Sequence, residues 1–498
     1  MKLKELLNGV GYRVVRGTDD IQVENIAWDS RKVVPGSLFI CVKGKKVDRH
    51  DFALPAVKAG AVVLVVEHEI GEIPQDVTLI SVENTQMAMA QIACNFYGDP
   101  SDGINLIGIT GTNGKTSVSW FIGKIMEQAG RKSGIIGTIE NRIGNRKSAV
   151  AKLNPTTPDS IELQASLREM RNDGVTDVAM EVTSIALVRH RVDGCHFSVG
   201  VFTNLTRDHL DEHGTMENYK RAKMRLFNMC RYGMVNADDP ICPEIREASR
   251  CEKLFTYGID NEADYRAEQI QYSPDGVRFI LRFKGERLPM MVRIPGRFMV
   301  YNALAAIGSC HLSGLSLEQI RDGLVQVEGV DGRFESVPNP KGCYVIVDYA
   351  HTPDGLENVL RSAREFACGR ILAVFGCGGD RDKTKRPIMG EIAGRLADLC
   401  IVTSDNPRSE EPGRILKDIE AGLRKTECPY IKLVDRKEAI HIALRTAQPG
   451  DVVLVAGKGH ETYQIFADRT IHFSDKEVIR EYFRKTTSRK NAKMCPAV

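Results

Sequence analysis

At 498 residues the chain is too long for one hydrophobic core, and 42% hydrophobic with 27% charged residues excludes disorder as its main theme and leaves apolar material for several cores. Lys plus Arg (68) nearly balances Asp plus Glu (65), which excludes a large net field steering the chain to nucleic acid, so anionic ligands must be met by local groups. No apolar run approaches membrane-spanning length, and MKLKELLNGV lacks a signal peptide's apolar core, so a cytoplasmic protein without membrane insertion is expected.

In chain order, short β-rich runs alternate with amphipathic stretches: AVVLVVE at 61–67, INLIGIT at 104–110, DVAMEV at 177–182, YVIVDYA at 344–350, ILAVFG at 371–376 and DVVLVAG at 451–457. That rhythm predicts α/β domains with parallel sheets. Several strands end in Gly, Thr or Asp before a helix-like pattern, where open α/β sheets place ligands. Turn-rich seams at 97–103 and 328–342 divide the chain into units of 1–100, 101–333 and 334–498. The basic stretch from Arg484 reads as a solvated tail. The 13 cysteines lack CxxC or zinc spacing and read as reduced thiols, with Cys377 a small loop residue.

INLIGITGTNGKTSVSWFIGKIM reads as a buried strand, a glycine turn and a helix. Gly111 and Gly114 let the N–H groups of the turn, including Thr112 and Asn113, wrap an anion. Lys115 supplies a cation to β- and γ-phosphates and Thr116 a hydroxyl to Mg²⁺, making an ATP cradle. Ile109, where the strict Walker pattern has Gly, marks a shorter form of the loop. Downstream, Glu181 closes a strand where a carboxylate suits a hard cation, and Asn204, Asp208, His209, Asp211 and His213 form a polar cluster. Alone, those histidines read as capping or solvent-facing residues.

TGTNGKTS is similar to the phosphate loop shared by Mur ligases and folylpolyglutamate synthases, and TNLTRDHLDEHGTMENYKRAK resembles the Mur ligase signature. The resemblance implies a three-domain α/β architecture: an N-terminal uridine-binding domain, a P-loop central domain and a Rossmann-like C-terminal domain. It implies ATP as co-substrate, with Thr116, Glu181, His209 and Lys223 as Mg²⁺ positions, Lys223 matching a lysine that the family carbamylates to N6-carboxylysine. Asn302 in PGRFMVYNALAA, Arg333 in GVDGRFE and Asp348 in VDYAHTPDG match nucleotide-contacting positions, so Lys115, Glu181, His209, Lys223 and Arg333 form the implied catalytic set. By its chemistry Asn302 suits a base or ribose, and Arg333 the charge on a transferring phosphoryl group.

For the donor, the resemblance implies UDP-MurNAc-L-Ala-D-Glu, met by Ser30 in the uridine-binding DSR segment, by Thr156 and Thr157 in NPTTPD, and by Thr183, Arg189 and Arg191 in EVTSIALVRHRV. Lys45 stands where some relatives have His. Asp405, Asn406, Pro407 and Arg408 form the DNPR motif of diaminopimelate-adding members, and Arg381, Gly457 and Glu461 match further amino-acid positions. The physics is direct: meso-diaminopimelate carries a second carboxylate that lysine lacks, and a guanidinium fork holds it through paired hydrogen bonds. The implied activity is ligation through an acyl phosphate, by a monomer with no nucleic-acid partner. The chain departs from the family's pattern at Ile185, Arg189, Met299 and Asp331. A lysine-adding ligase of the same family, a folylpolyglutamate synthase and a nucleotide-binding regulator without catalysis stay open.

Overall fold

The computed structural model describes residues 1–44 and 47–494, with side chains described through 485; Lys45 and residues 495–498 lie outside the described residues. Three sheets organise the chain. The N-terminal sheet has five strands in the order Tyr12–Arg16, Thr78–Val82, Ala61–Val66, Ser37–Ile40, Asn25–Ala27, with only the first pair antiparallel.

The central sheet has 11 strands. Its parallel heart runs Tyr265–Ser273, Lys253–Gly258, Cys230–Asn236, Phe197–Phe202, Asn105–Thr110, Asp177–Glu181, Ser133–Ile136, and antiparallel strands extend it on both flanks. The helix Lys115–Gln128 places Val118, Phe121, Ile122, Ile125 and Met126 at helical spacing on one buried face, packed with helix Arg297–Leu312 in the largest core cluster. Burying each of those large side chains contributes about 1.5–3 kcal/mol, which fixes the first turn of this helix against the sheet.

The C-terminal sheet has six strands in the order Glu335–Ser336, Tyr344–Asp348, Val452–Ala456, Ile371–Phe375, Leu399–Thr403, Tyr430–Leu433, parallel apart from the first. The apolar runs named above form strands in all three sheets, buried at all but one position or throughout, as parallel strands covered on both faces require. The basic tail departs from expectation: helix Asp475–Met494 continues through it, because Val478, Ile479 and Phe483 bury against the C-terminal core and anchor its first turns. Carboxyl ends of the central and C-terminal strands meet across one interface, where Arg333 reaches Thr116 and Asp354 reaches Asn113.

Candidate active site

The phosphate loop joins strand Asn105–Thr110 to helix Lys115–Gln128. Gly111 and Gly114 have φ of 143° and 89°, and a Cβ on Gly111 would stand 1.8 Å from Thr203 Oγ1. Both backbone angle and space therefore demand glycine. Thr203 Oγ1 donates to the Asn113 carbonyl at 2.6 Å, and Asn113 N–H donates to Asn204 Oδ1 at 2.9 Å, tying the loop to the neighbouring strand's end. Thr112 Oγ1 lies 3.2 Å from the Tyr219 hydroxyl.

Two lysine ammonium groups converge on the Gly111 carbonyl, Lys115 at 2.8 Å and Lys223 at 2.7 Å; Lys115 also donates to the Thr112 carbonyl. Burial, then proximity to Lys115, pushes Lys223 well below the ordinary lysine range, and burial lowers Lys115 too, against the pull of Glu181 and Asp208. The Lys115 side chain beside a loop of N–H donors forms an anion-seeking face.

Glu181, 1% exposed, accepts from the Thr116 hydroxyl at 3.1 Å and from the Thr138 N–H and hydroxyl at 2.8 and 2.9 Å. Thr138 Oγ1 sits 3.0 Å from Thr156 Oγ1, and Thr157 donates to the Glu181 carbonyl and to Thr183. Thr116, Glu181, Thr156, Thr157 and Thr183 are thus one hydroxyl-lined cluster. His209 is an exposed residue in the left-handed region, its ring 3.3 Å from Asp208 and edge-on to Tyr219 at 6.2 Å. Among the described residues the only group of three or more His, Cys, Asp and Glu with donor atoms mutually within 4.8 Å is Asp48, His50 and His68.

Arg333 leaves the seam between central and C-terminal sheets, donates to Thr116 Oγ1 at 3.0 Å and lies over the Tyr349 ring at 4.5 Å. Its buried Nε has no partner among the described residues. Asp348 holds that seam: its carboxylate accepts from Phe334 N–H at 2.6 Å and Ala350 N–H at 2.7 Å, although burial pushes its pKa up to about 6. Asn302 is 6% exposed and packs against Gly114, where its Oδ1 would lie 2.5 Å from an added Cβ, so it sits at the phosphate loop. Its amide faces Met299 Sδ at 3.7 Å, one of the positions departing from pattern; another, Asp331, pairs with Lys476.

The amino-acid positions gather at the carboxyl ends of three C-terminal strands. Asn406, 2% exposed, donates to Glu461 Oε2 at 2.9 Å, and Gly457 packs against Asp405, whose buried Oδ2 has no hydrogen-bond partner among the described residues. Arg408, at φ 51°, donates to the Gly379 carbonyl at 2.8 Å, and Pro407 closes against Gly379. Arg381 is exposed, its guanidinium 3.4 Å from the Asp380 carbonyl. Cys377 is buried against Met389, its thiol pushed up to about 12 by burial.

On the donor side, Ser30 opens the short helix Ser30–Lys32 after Asp29, and the preceding Trp28 donates to Glu162 of the central domain. Beside Trp28, Lys32, Tyr97 and Glu162 a cleft of about 230 Å³ separates the two domains. Arg191 is buried and committed, ion-paired to Asp159 at 2.7 Å and donating to the Thr157 carbonyl at 3.1 Å, so it buttresses the threonine loop from below. Arg189 is half-exposed and lies 3.7 Å from Glu212.

Sequence reading missed Thr138, Lys152, Asp354 and Lys458. Lys152 donates to the Gly137 and Thr138 carbonyls beside Glu181, and burial brings its pKa down to about 8; no motif marks it. Asp354 in TPDG reads as an ordinary acidic residue of a helix's first turn, yet it accepts from Asn113 Nδ2 of the phosphate loop at 2.6 Å. Lys458 was in plain view in GKGHE, three residues before Glu461.

Three family models match the chain: "Mur ligase family, catalytic domain" at 22–97, "Mur ligase middle domain" at 109–310 and "Mur ligase, glutamate ligase domain" at 332–459. A Caldanaerobacter subterraneus protein named UDP-N-acetylmuramoyl-L-alanyl-D-glutamate--2,6-diaminopimelate ligase is 47% identical over 482 residues, covering 97% of this chain and 98% of that one. A Clostridium acetobutylicum protein of the same name, numbered 2, is 45% identical over 481 residues, covering 97% and 99%. A solved structure bearing the same enzyme name superposes with a TM-score of 0.71 at 30% identity, covering 98% of this chain and 99% of its own. With the P-loop, the carboxylate–threonine cluster and the DNPR pocket all built on a scaffold matched from end to end, the chain belongs to the Mur ligase family.

Proposed function

We propose that this protein is an ATP-dependent ligase that joins meso-2,6-diaminopimelate to the D-Glu γ-carboxylate of UDP-MurNAc-L-Ala-D-Glu, in the cytoplasmic synthesis of peptidoglycan precursors. Residues 1–100 bind the uridine end of the donor, 101–333 bind ATP, and 334–498 bind the incoming amino acid. The observation that carries this reading is the C-terminal pocket, where the cationic Arg408 and the anionic Glu461 stand on the sheet that faces the phosphate loop. Opposite charges suit a ligand with carboxylate and ammonium at its far end. Relatives of nearly full length carry that enzyme name.

In the mechanism, the donor γ-carboxylate attacks the γ-phosphorus of ATP, the bond to the β-phosphate oxygen breaks, and ADP leaves. The amine of diaminopimelate then attacks the acyl phosphate, and phosphate departs with the new amide formed. Gly111 to Thr116 hold the β- and γ-phosphates through N–H groups and the Lys115 ammonium. Arg333, with its free Nε and its grip on Thr116, neutralises charge as the phosphoryl group moves. Asn302 fixes the loop from behind, and Asp348 fixes the Arg333 segment. Thr156, Thr157, Thr183, Arg189 and Arg191 shape the donor's path from Ser30. Arg381 and Arg408 take carboxylates; Glu461, with Asp405, Asn406, Pro407 and Gly457 around it, takes the distal ammonium.

The oxygen-rich pair Thr116 and Glu181 fits a hard divalent cation, and His209 with a carbamylated Lys223 completes the set that would hold Mg²⁺. Bound there, Mg²⁺ supplies positive charge against the phosphate oxygens. The lowered pKa of Lys223 favours the neutral amine, whose lone pair attacks carbon dioxide to give a carbamate with loss of a proton.

The test is phosphate release with UDP-MurNAc-L-Ala-D-Glu against meso-diaminopimelate and L-lysine. Turnover is expected with diaminopimelate, and efficient lysine use without diaminopimelate use overturns the assignment.

A further inference from the structure

Lys458 is 0% exposed, an unusual place for an ammonium group, and its partners explain it. Nζ donates to Glu461 Oε2 at 2.8 Å and to Asn406 Oδ1 at 3.1 Å, and faces the Tyr463 ring at 5.4 Å. Asn406 in turn donates to the same Glu461 oxygen at 2.9 Å. These residues form a closed triangle, in which Asn406 Oδ1 also receives the Ile465 N–H at 3.1 Å.

The triangle has a directional consequence. Glu461 Oε2 is filled by two internal donors, while among the described residues Oε1 has only the Tyr463 hydroxyl at 3.4 Å. One oxygen is anchored and the other left for a ligand. Asn406 belongs to the loop carrying Arg408, and Glu461 to the turn after strand Val452–Ala456; Lys458 is the charge that locks the two into one pocket wall. The same turn is pressed against the seam, since a Cβ on Gly332, beside Arg333, would meet His460 N at 2.1 Å.

We infer that Lys458 is a positioning and specificity-determining residue for the amino-acid substrate: it aims Glu461 Oε1 at the distal ammonium and holds it in register with Arg408. The inference rests on the proposed reaction. The contacts of the Lys458 ammonium are with Asn406, Glu461 and Tyr463 of the pocket, so its effect is expected on one substrate only.

The experiment measures apparent KM for meso-diaminopimelate, ATP and UDP-MurNAc-L-Ala-D-Glu by phosphate release in the wild type, K458M, K458R and K458M/E461Q, with thermal melts of each. In K458M the KM for diaminopimelate is expected to rise roughly tenfold or more, as loss of an interaction worth a few hydrogen bonds implies, with the other two KM values within twofold. K458M/E461Q, which removes both buried charges, is expected to melt higher than K458M without recovering diaminopimelate binding. Should K458M melt below assay temperature, K458R carries the same split, since it keeps the charge but misplaces it. A diaminopimelate KM within twofold of wild type in a folded variant overturns the inference while leaving the reaction intact. Absence of diaminopimelate turnover in the wild type sinks the reaction, and the inference with it.

Discussion

At the phosphate loop recognition is written in backbone, whereas in the amino-acid pocket it is written in side chains already bound to one another. Around Gly111 two lysines crowd one carbonyl and burial works against both charges, so the site is short of negative charge until phosphates arrive. Around Asn406 the buried Lys458 and Glu461 compensate one another, and specificity lies in the oxygen and the guanidinium left over. The first arrangement suits a ligand common to many enzymes and the second a ligand that must be told from near relatives. Substitutions at the loop should therefore act on rate, and those in the pocket on selectivity.

The largest effect is expected from Lys115→Ala, which removes the cation nearest the loop's anion site: kcat should fall by about 10²–10³-fold, as for loss of a single charge-stabilising donor. ADP formation at saturating substrates checks it, and a change confined to KM for diaminopimelate would contradict the division between the two regions. Lys223→Ala comes next, with about a 10–100-fold loss of activity, partly restored by a short carboxylate such as acetate standing in for the carbamate. The same group predicts a pH effect on stability. Its folded pKa is depressed, so between that lowered value and the ordinary lysine value the unfolded chain holds a proton that the folded chain does not. Wild-type stability should fall as pH drops through that interval, and pH-dependent melts of Lys223→Met should lack that slope.

The two regions also differ in how far they could be read from sequence. The loop was legible because strand, glycines, Lys115 and helix are contiguous, and each glycine's requirement is local. Glu181 was legible as a carboxylate at a strand end, but its partner Thr138 lies after a different strand, and contiguity gives no hint of that. The local partners of Arg191 and Asn302 were not legible: the fold pairs Arg191 with Asp159 and sets Asn302 against Gly114, facts that depend on packing over long sequence separations. In the pocket DNPR and GKGHE were visible as motifs, yet the pairing of Asn406 with Lys458 requires the loops after Leu399–Thr403 and Val452–Ala456 to meet across the strand Ile371–Phe375 that lies between them. The seam at 328–342 showed as a run of turn formers beside the short strand Glu335–Ser336, without revealing that Arg333 reaches across to Thr116.

Arg408→Lys sharpens the comparison from the pocket side. A lysine keeps the charge but loses the fork, so kcat/KM for diaminopimelate should drop about 30-fold or more, corresponding to about 2 kcal/mol or more of recognition, while KM for ATP stays put. Competition between diaminopimelate and L-lysine in one assay, read by mass of the product, measures the lost discrimination. An unchanged product ratio would remove Arg408 from the selectivity determinants.

The smallest expected effect tests whether the two regions are mechanically coupled. Asp354 stands in the first turn of helix Pro353–Phe366, on the C-terminal domain, and accepts from Asn113 Nδ2 of the phosphate loop at 2.6 Å. It does not touch the amino-acid pocket. Removing it by Asp354→Ala costs the loop one hydrogen bond across the interface, about 0.5–1.5 kcal/mol, and KM for ATP should rise roughly 2- to 12-fold. KM for diaminopimelate should hold constant, because Lys458 and Glu461 are anchored within their own sheet. Asp354→Asn keeps an acceptor oxygen for Asn113 and should recover most of the loss. If diaminopimelate affinity instead weakened in step with ATP affinity, the C-terminal domain would be carrying loop geometry into the pocket, and the backbone-built and side-chain-built sites would have to be treated as one.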